Sequence, residues 1–549
     1  MTRLRRLDPW TLVAIGAWMI IAALLVWPLS SVVASSLIEE TGSVGFGNYL
    51  EVATLRVYRR AIVNTLIAGF GGMAGALALG LTLAFVMSRF TIRGRALIQT
   101  LAVLALVSPP FIGAYSWIVL FGANGAARNI LADLGLSMPP IYGAWGVILV
   151  FGLKFFPHVF LIASAAFSGI NRSLEDAAES LGVPPWKRLF TITFPLMLPA
   201  ITAGGLLAFV LSIADFGTPR LIGRDFNVLA TEAFTIYASE VGGNPGMASA
   251  LSVVLVALSM ALVMLQRHAS RRNTYLGSVA RRREQVTPAG WRSLGLHFLA
   301  YSIVLAGSIP AITVVLFSFR RTSGPVFQPG LSIQSYEKVW ATLSVAIWNT
   351  LLFSFVAVAA IVIIGTLIGY LLTRRPGRLT AALDAILVIP YIVPGIVIGI
   401  AFIVRFNEPP LALTGTGLII ILAVFIRRLP YAARSVAAAL KQLSPSLEEA
   451  AASLGLSPAR AFLKTTVPLI APGILAGALM SLVTAMNELS SSLVLYTGGT
   501  VTMPVRIYLS VLDGEYGTAS ALASILLGLT AAGVYAAFRI SGRRDVSLY

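Results

Sequence analysis

Stretches of about twenty apolar residues, the length that carries an α-helix across a hydrocarbon core of roughly 30 Å, recur along this 549-residue sequence and leave little choice of architecture. They fall near 11–37, 61–88, 97–121, 141–168, 196–216 and 247–266, then near 294–318, 345–373, 382–404, 415–440, 469–497 and 519–540. With 57% apolar residues, 11% charged residues and a mean hydropathy of +0.86, the chain reads as an all-α integral membrane protein of about twelve transmembrane helices. The first stretch lacks a small-residue cleavage site and is expected to be a retained helix rather than a signal peptide.

Cytoplasmic loops near helix ends carry the positive excess. With the N-terminus inside, that side holds Arg3, Arg5, Arg6, Arg89, Arg93, Arg95, the basic interval 267–292, Arg374, Arg375, Arg378, Arg539, Arg543 and Arg544. The net charge of +18 is therefore a topology signal, with attraction to anionic headgroups of the lipid bilayer as its by-product. No nucleic-acid partner is expected. Both termini are placed in the cytoplasm.

The chain has no cysteine and three histidines, His158, His268 and His297, so no disulfide, thiolate metal centre or metal-site spacing is available and no cofactor is expected. No Gly-Lys dipeptide occurs, which excludes a GxxxxGK[ST] phosphate loop. No set of acid, base and nucleophile stands out as an enzyme's would.

One polar passage is written twice. "LEDAAESLGVPPWKRLFTITFPLMLPAITAG", residues 174–204, returns 273 residues later as "LEEAAASLGLSPARAFLKTTVPLIAPGILAG", residues 447–477, identical at 15 positions. Eight of these are not supplied by apolar composition: Glu175/Glu448, Ser180/Ser453, Gly182/Gly455, Pro185/Pro458, Thr193/Thr466, Pro195/Pro468, Pro199/Pro472 and Gly204/Gly477. A fainter echo, at an offset of 285, joins "NTLIAGF" from Asn64 to "NTLLFSF" from Asn349 and Arg89 to Arg374. The chain thus divides into two six-helix modules, 1–266 and 294–549, with 267–293 a basic cytoplasmic linker. An even helix number gives both modules one orientation, a parallel repeat.

In each copy a carboxylate pair opens a short Ala-rich helix, where negative charge suits the positive end of the helix dipole. Gly182 and Gly455 stand where a left-handed C-terminal cap is wanted. Ala177, Ala178, Ala450 and Ala451 leave the helix surface without bulk, which permits close approach of another backbone. An amphipathic connection on the membrane surface would explain one such loop more readily than two.

These passages, each followed by a P-L-x-x-P element, resemble the EAA loop of the permeases of binding-protein-dependent ABC importers, and the resemblance covers nearly the whole chain as two fused permease modules. It implies the type I ABC importer permease fold in a bacterial inner membrane, and a substrate-binding protein, periplasmic or tethered to the surface, that docks outside. It also implies two copies of a cytoplasmic ABC ATPase, so that ATP hydrolysis belongs to separate subunits. By position, Glu175, Ala177, Ala178 and Gly182 would couple to one ATPase copy, and Glu448, Ala450, Ala451 and Gly455 to the other. "SIADFGTPRLIG" from Ser212 and "TAMNELSSSLVLYTGG" from Thr484 resemble stretches of fused ferric-iron permeases. Thiamine, phosphonates, polyamines and small anions are the other substrates that the resemblance leaves open.

Ionisable groups in apolar helices cost about 2.5 to 3.5 kcal/mol on insertion scales and call for a partner or a wet cavity. Lys154 and Arg427 are related by the offset of 273, as are Asp215 and Glu488. Two readings stand: symmetric pairs, Lys154 with Asp215 and Arg427 with Glu488, near a central pathway, or acids at the outer interface with bases snorkelling to headgroups. His158 beside Pro157 is read as a packed residue. The small-residue pairs Gly80/Ala84 and Gly365/Gly369 are read as sites of close helix packing. A secondary transporter with two parallel repeats shares the gross architecture, but the Gly and Asp with following basic residues expected between its second and third helices are missing from "SRFTIRGR" at Ser88.

Overall fold

A computed structural model describes residues 9–123, 125–170, 172–239, 243–271 and 285–541. Arg3, Arg5, Arg6, Arg543, Arg544 and positions 272–284 of the linker lie outside them.

Among the described residues, nine helices are long and apolar enough to cross a membrane: Pro9–Ser36, Arg56–Arg89, Ala144–Gly169, Pro185–Ala214, Pro245–Leu265, Gly290–Ser318, Ser344–Arg374, Pro458–Met486 and Tyr516–Ala536. The other three expected stretches differ from single apolar spans. Residues 97–121 form two helices, Arg95–Val107 and Pro110–Phe121, parted at Ser108 and Pro109. Residues 382–404 bend by 107° between Arg378–Ile392 and Gly395–Phe406, next to Pro394. Residues 415–440 are one helix, Gly417–Lys441, interrupted chemically by Arg427, Arg428 and Arg434. The proline at each break removes a backbone donor and crowds the carbonyl four residues earlier.

Three helices carry a π-type segment, at Ala22–Val26, Leu189–Thr193 and Phe462–Thr466. Pro28, Pro195 and Pro468 follow, and the carbonyl each would clash with belongs to the middle residue of the segment before it. A widened turn relieves that clash without ending the helix.

The chain forms two compact units. One holds residues 51–232 and 254–320. Its centre is the helix Arg56–Arg89 lying along Ala144–Gly169, so close that a Cβ on Gly75 would sit 3.1 Å from the Cα of Gly152, and one on Gly80 would sit 2.8 Å from the carbonyl of Phe156. Helix Gly290–Ser318 belongs to this unit: Val304 and Ile303 bury themselves against Ile98, Phe156 and Phe160, and Ser116 donates to the carbonyl of Pro310 at 2.9 Å. The linker returns beside the end of helix Arg56–Arg89, where the Val286 N–H bonds the carbonyl of Arg89 at 3.0 Å.

The other unit holds residues 9–50, 233–253 and 321–541. Helix Ser344–Arg374 lies along Gly417–Lys441, where a Cβ on Gly365 would meet Ala432 at 2.7 Å and one on Gly369 the carbonyl of Ala433 at 2.8 Å. Helix Pro9–Ser36 packs here: the Trp10 ring lies 4.2 Å from that of Tyr370 and 5.2 Å, edge-on, from Phe462, and the Arg405 guanidinium covers Trp27 at 3.6 Å. The first helix of each sequence half thus belongs to the unit built mainly from the other half. A short ribbon of Arg320–Ser323 and Val326–Leu331 departs from the all-helical pattern.

Candidate functional site

The repeated passage folds alike in both copies. Its first copy makes the helix Arg172–Ser180 and its second the helix Ser446–Ser453, with Glu175, Glu448 and Glu449 in the first turns. Each ends in a paired cap. The N–H of Gly182 bonds Glu179 at 2.8 Å while that of Val183 bonds Ala178 at 3.0 Å; the N–H of Gly455 bonds Ala452 at 2.9 Å while that of Leu456 bonds Ala451 at 3.2 Å. This double closure requires a left-handed residue, supplied by Gly182 at φ +74° and Gly455 at φ +84°. Nothing lies within 4 Å of a Cβ placed on either glycine, so backbone conformation alone makes the demand.

The eight candidate residues divide by direction. Ala177, Gly182, Ala450 and Gly455 are exposed; Ala178 and Ala451 are buried. Around the exposed set stand Leu174, Leu181, Trp186, Leu447, Leu454 and Leu463, all large, apolar and exposed. Glu175 turns inward. Arg89, the last residue of its helix, holds both carboxylate oxygens, and the Thr193 hydroxyl donates at 2.7 Å. Glu448 also turns inward, accepting from Tyr370 Oη at 2.8 Å and Thr466 Oγ1 at 3.0 Å, with Arg374 Nε at 3.4 Å. The glutamates are therefore anchors, while the small exposed residues Ala177, Gly182, Ala450 and Gly455 stand among large apolar side chains and the exposed acids Asp176, Glu179 and Glu449.

Four of the partners were visible as repeated residues, Arg89/Arg374 and Thr193/Thr466, but nothing in the sequence joined them to the acids. Tyr370 carried no such signal, because Phe85 stands at the matching position.

The membrane ionisables are also brought together. Lys154, midway along Ala144–Gly169, pairs with Asp215, and its ammonium lies 4.9 Å from the Phe155 ring centre. Asp215 follows the end of Pro185–Ala214 and caps the next turn, accepting from the Thr218 N–H at 2.8 Å. In the second half Glu488, just past Pro458–Met486, pairs with Arg427 and with Arg428, and accepts from the Ser491 N–H at 3.1 Å. Arg428 carries no repeat signal in the sequence, because Phe155 stands at the matching position. Lys154 lines a cavity of ≈ 20 Å³ with Ser108, Trp117 and Pro310, room for about one water. His158 packs against Phe155 with ring centres 6.2 Å apart.

Residues 76–275 and 361–544 each match the family described as the binding-protein-dependent transport system inner membrane component. A ferric transport system permease protein of Actinobacillus pleuropneumoniae is 30% identical over 485 residues, covering 85% of this chain and 69% of its own. An Fe(3+)-transport system permease protein of Haemophilus influenzae is 25% identical over 475 residues, covering 84% of this chain and 86% of its own. A protein of Sinorhizobium fredii named a probable ABC transporter permease is 25% identical over 527 residues, covering 92% and 91%.

Proposed function

Because the chain belongs to the family of binding-protein-dependent transport system inner membrane components, we propose that it is the fused, two-module permease of an ATP-driven importer of ferric iron. The observation that carries the mechanism is the pair of short helices, each anchored by an inward glutamate and each exposing an alanine and a capping glycine beside large apolar side chains. One such face per module suits a motor that is itself a dimer. In this reading Ala177 and Gly182 in one module, and Ala450 and Gly455 in the other, seat in two copies of a cytoplasmic ABC ATPase. Glu175 and Glu448 act one step back by holding those helices. ATP hydrolysis takes place in the ATPase subunits, and its closure draws the two helices together to turn the membrane cavity over.

The positive ends support one orientation. Arg89, the returning linker at Val286 and the helix Arg172–Ser180 share one end of their unit; Arg374 and the helix Ser446–Ser453 share one end of theirs. The excess of Lys and Arg that cytoplasmic faces carry supports a cytoplasmic position for these ends, and for both termini, at a bacterial inner membrane. An outer substrate-binding protein delivers the cargo. Iron rests on the names of two relatives that span most of this chain.

Uptake of labelled ferric iron by iron-limited cells with and without the gene tests the cargo. Loss of uptake that the gene restores is expected; unchanged uptake in a strain with no second iron importer excludes iron. Co-purification of two ATPase copies per chain tests the motor separately.

A further inference from the structure

We propose, resting on the coupling-helix reading above, that the two helices hang on unequal joints: Arg172–Ser180 is locked by a charged clamp, whereas Ser446–Ser453 depends on a tyrosine hydroxyl and is the one that gives way first during turnover. In the first joint two terminal nitrogens of Arg89 meet the two oxygens of Glu175. Thr193 bridges them, donating to the acid at 2.7 Å and accepting from Arg89 at 3.3 Å. Parallel charged bonds of this kind are the strong, geometrically specific class, and the Glu175 side chain is only 6% exposed.

The second joint is built from the corresponding residues with a different outcome. Arg374 stands 3.4 Å from Glu448 without a hydrogen bond and gives an Nη2 bond, at 2.9 Å, to the carbonyl of Leu443. The two bonds that Glu448 does receive come from neutral hydroxyls, Tyr370 and Thr466, and its side chain is 22% exposed. Position 85, which corresponds to Tyr370, is a phenylalanine 6.0 Å from Arg89 and has no hydroxyl to offer. Tyr370 is held for the task by Trp10 and Phe462, at ring distances of 4.2 and 4.8 Å. In both joints the threonine is the last residue of a π segment, so the following membrane helix is tied to the acid at its own widened turn.

The chain lacks cysteine, so Ala177→Cys and Ala450→Cys, both at exposed positions, report on each helix alone. The rate of alkylation by an impermeant maleimide is measured in inside-out vesicles carrying the full chain with its ATPase. Protection of both thiols by the ATPase is expected; protection of neither removes the coupling reading, and the joints with it. With protection in place, Arg89→Gln should speed alkylation at 177 about ten-fold, the effect of losing a charged bond. Tyr370→Phe should speed it at 450 about five-fold, and Arg374→Gln, which removes no hydrogen bond to Glu448, by less. Phe85→Tyr added to Arg89→Gln should recover part of the protection, as no general loss of structure would. Equal sensitivity to Arg89→Gln and Arg374→Gln overturns the proposal. If Arg89→Gln does not accumulate, a larger effect of Arg374→Gln than of Tyr370→Phe at 450 overturns it alone.

Discussion

Lys154 and Asp215 form an ion pair between residues 61 positions apart, one in the middle of an apolar helix and the other just past the end of its neighbour. Their side chains are 12% and 6% exposed. Breaking a buried pair leaves one charge without compensation and costs about 3–5 kcal/mol, whereas removing both charges is often close to neutral. Asp215→Ala should therefore lower the thermal midpoint and the amount in the membrane sharply, and Lys154→Met with Asp215→Ala should recover most of the loss. The exchange Lys154→Asp with Asp215→Lys should recover less, since lysine cannot accept from the Thr218 N–H. An exchange that restores nothing lost in the single variants would show that the two charges do not act as a pair.

Glu488 serves two guanidiniums where Asp215 serves one ammonium. Glu488→Gln should accordingly be more damaging to accumulation than Asp215→Asn. Arg428→Phe should be tolerated, because it leaves Arg427 paired and copies the residue at 155. Comparing the yields of the three variants after detergent extraction checks the order, and a milder effect of Glu488→Gln contradicts it.

Glu175→Ala together with Glu448→Ala should uncouple transport while the chain stays in the membrane. Both short helices lose their anchors but keep their caps and exposed residues. Uptake is compared with immunodetected protein in the same membranes; full uptake at normal level refutes the anchoring role.

Gly182→Ala and Gly455→Ala should each cost about 1–2 kcal/mol, the penalty of a Cβ in the left-handed region. Asparagine, which visits that region more readily, should be the best tolerated replacement at both positions. Because the surrounding space within the chain is open, leucine should be no worse than alanine for the thermal midpoint of the chain without its ATPase. A midpoint that falls with side-chain size would refute the backbone account, whereas uptake that falls with size at an unchanged midpoint reports contact with the ATPase.

The helices were legible because each needs a long apolar run, and lipid allows little else. The interruptions at Pro109 and Pro394 were not, since Pro157, Pro199, Pro310 and Pro430 sit inside continuous helices, so a proline in an apolar run does not itself distinguish a kink from a break. The pairs Lys154/Asp215 and Arg427/Glu488 followed from the cost of unpaired charge and a shared offset. Arg428 escaped because it breaks the repeat at Phe155. The joints escaped because Arg89/Arg374 and Glu175/Glu448 repeat at different offsets, 285 and 273, and only folding brings the two registers together. Nothing in an apolar helix states which neighbour it will choose, so the placement of Pro9–Ser36 and Gly290–Ser318 was beyond sequence reading.

That placement gives the chain a birth order. Trp10 is made 360 residues before Tyr370 and 452 before Phe462, the rings that receive it. At roughly 5–20 residues per second, the opening helix waits in the bilayer on the order of tens of seconds before its seat exists. The earlier unit, likewise, stays open until Gly290–Ser318 arrives. A gene cut at the linker would yield two pieces that are each missing a wall and holding a spare one, so neither could be finished without meeting the other; joining them in one polypeptide guarantees the meeting.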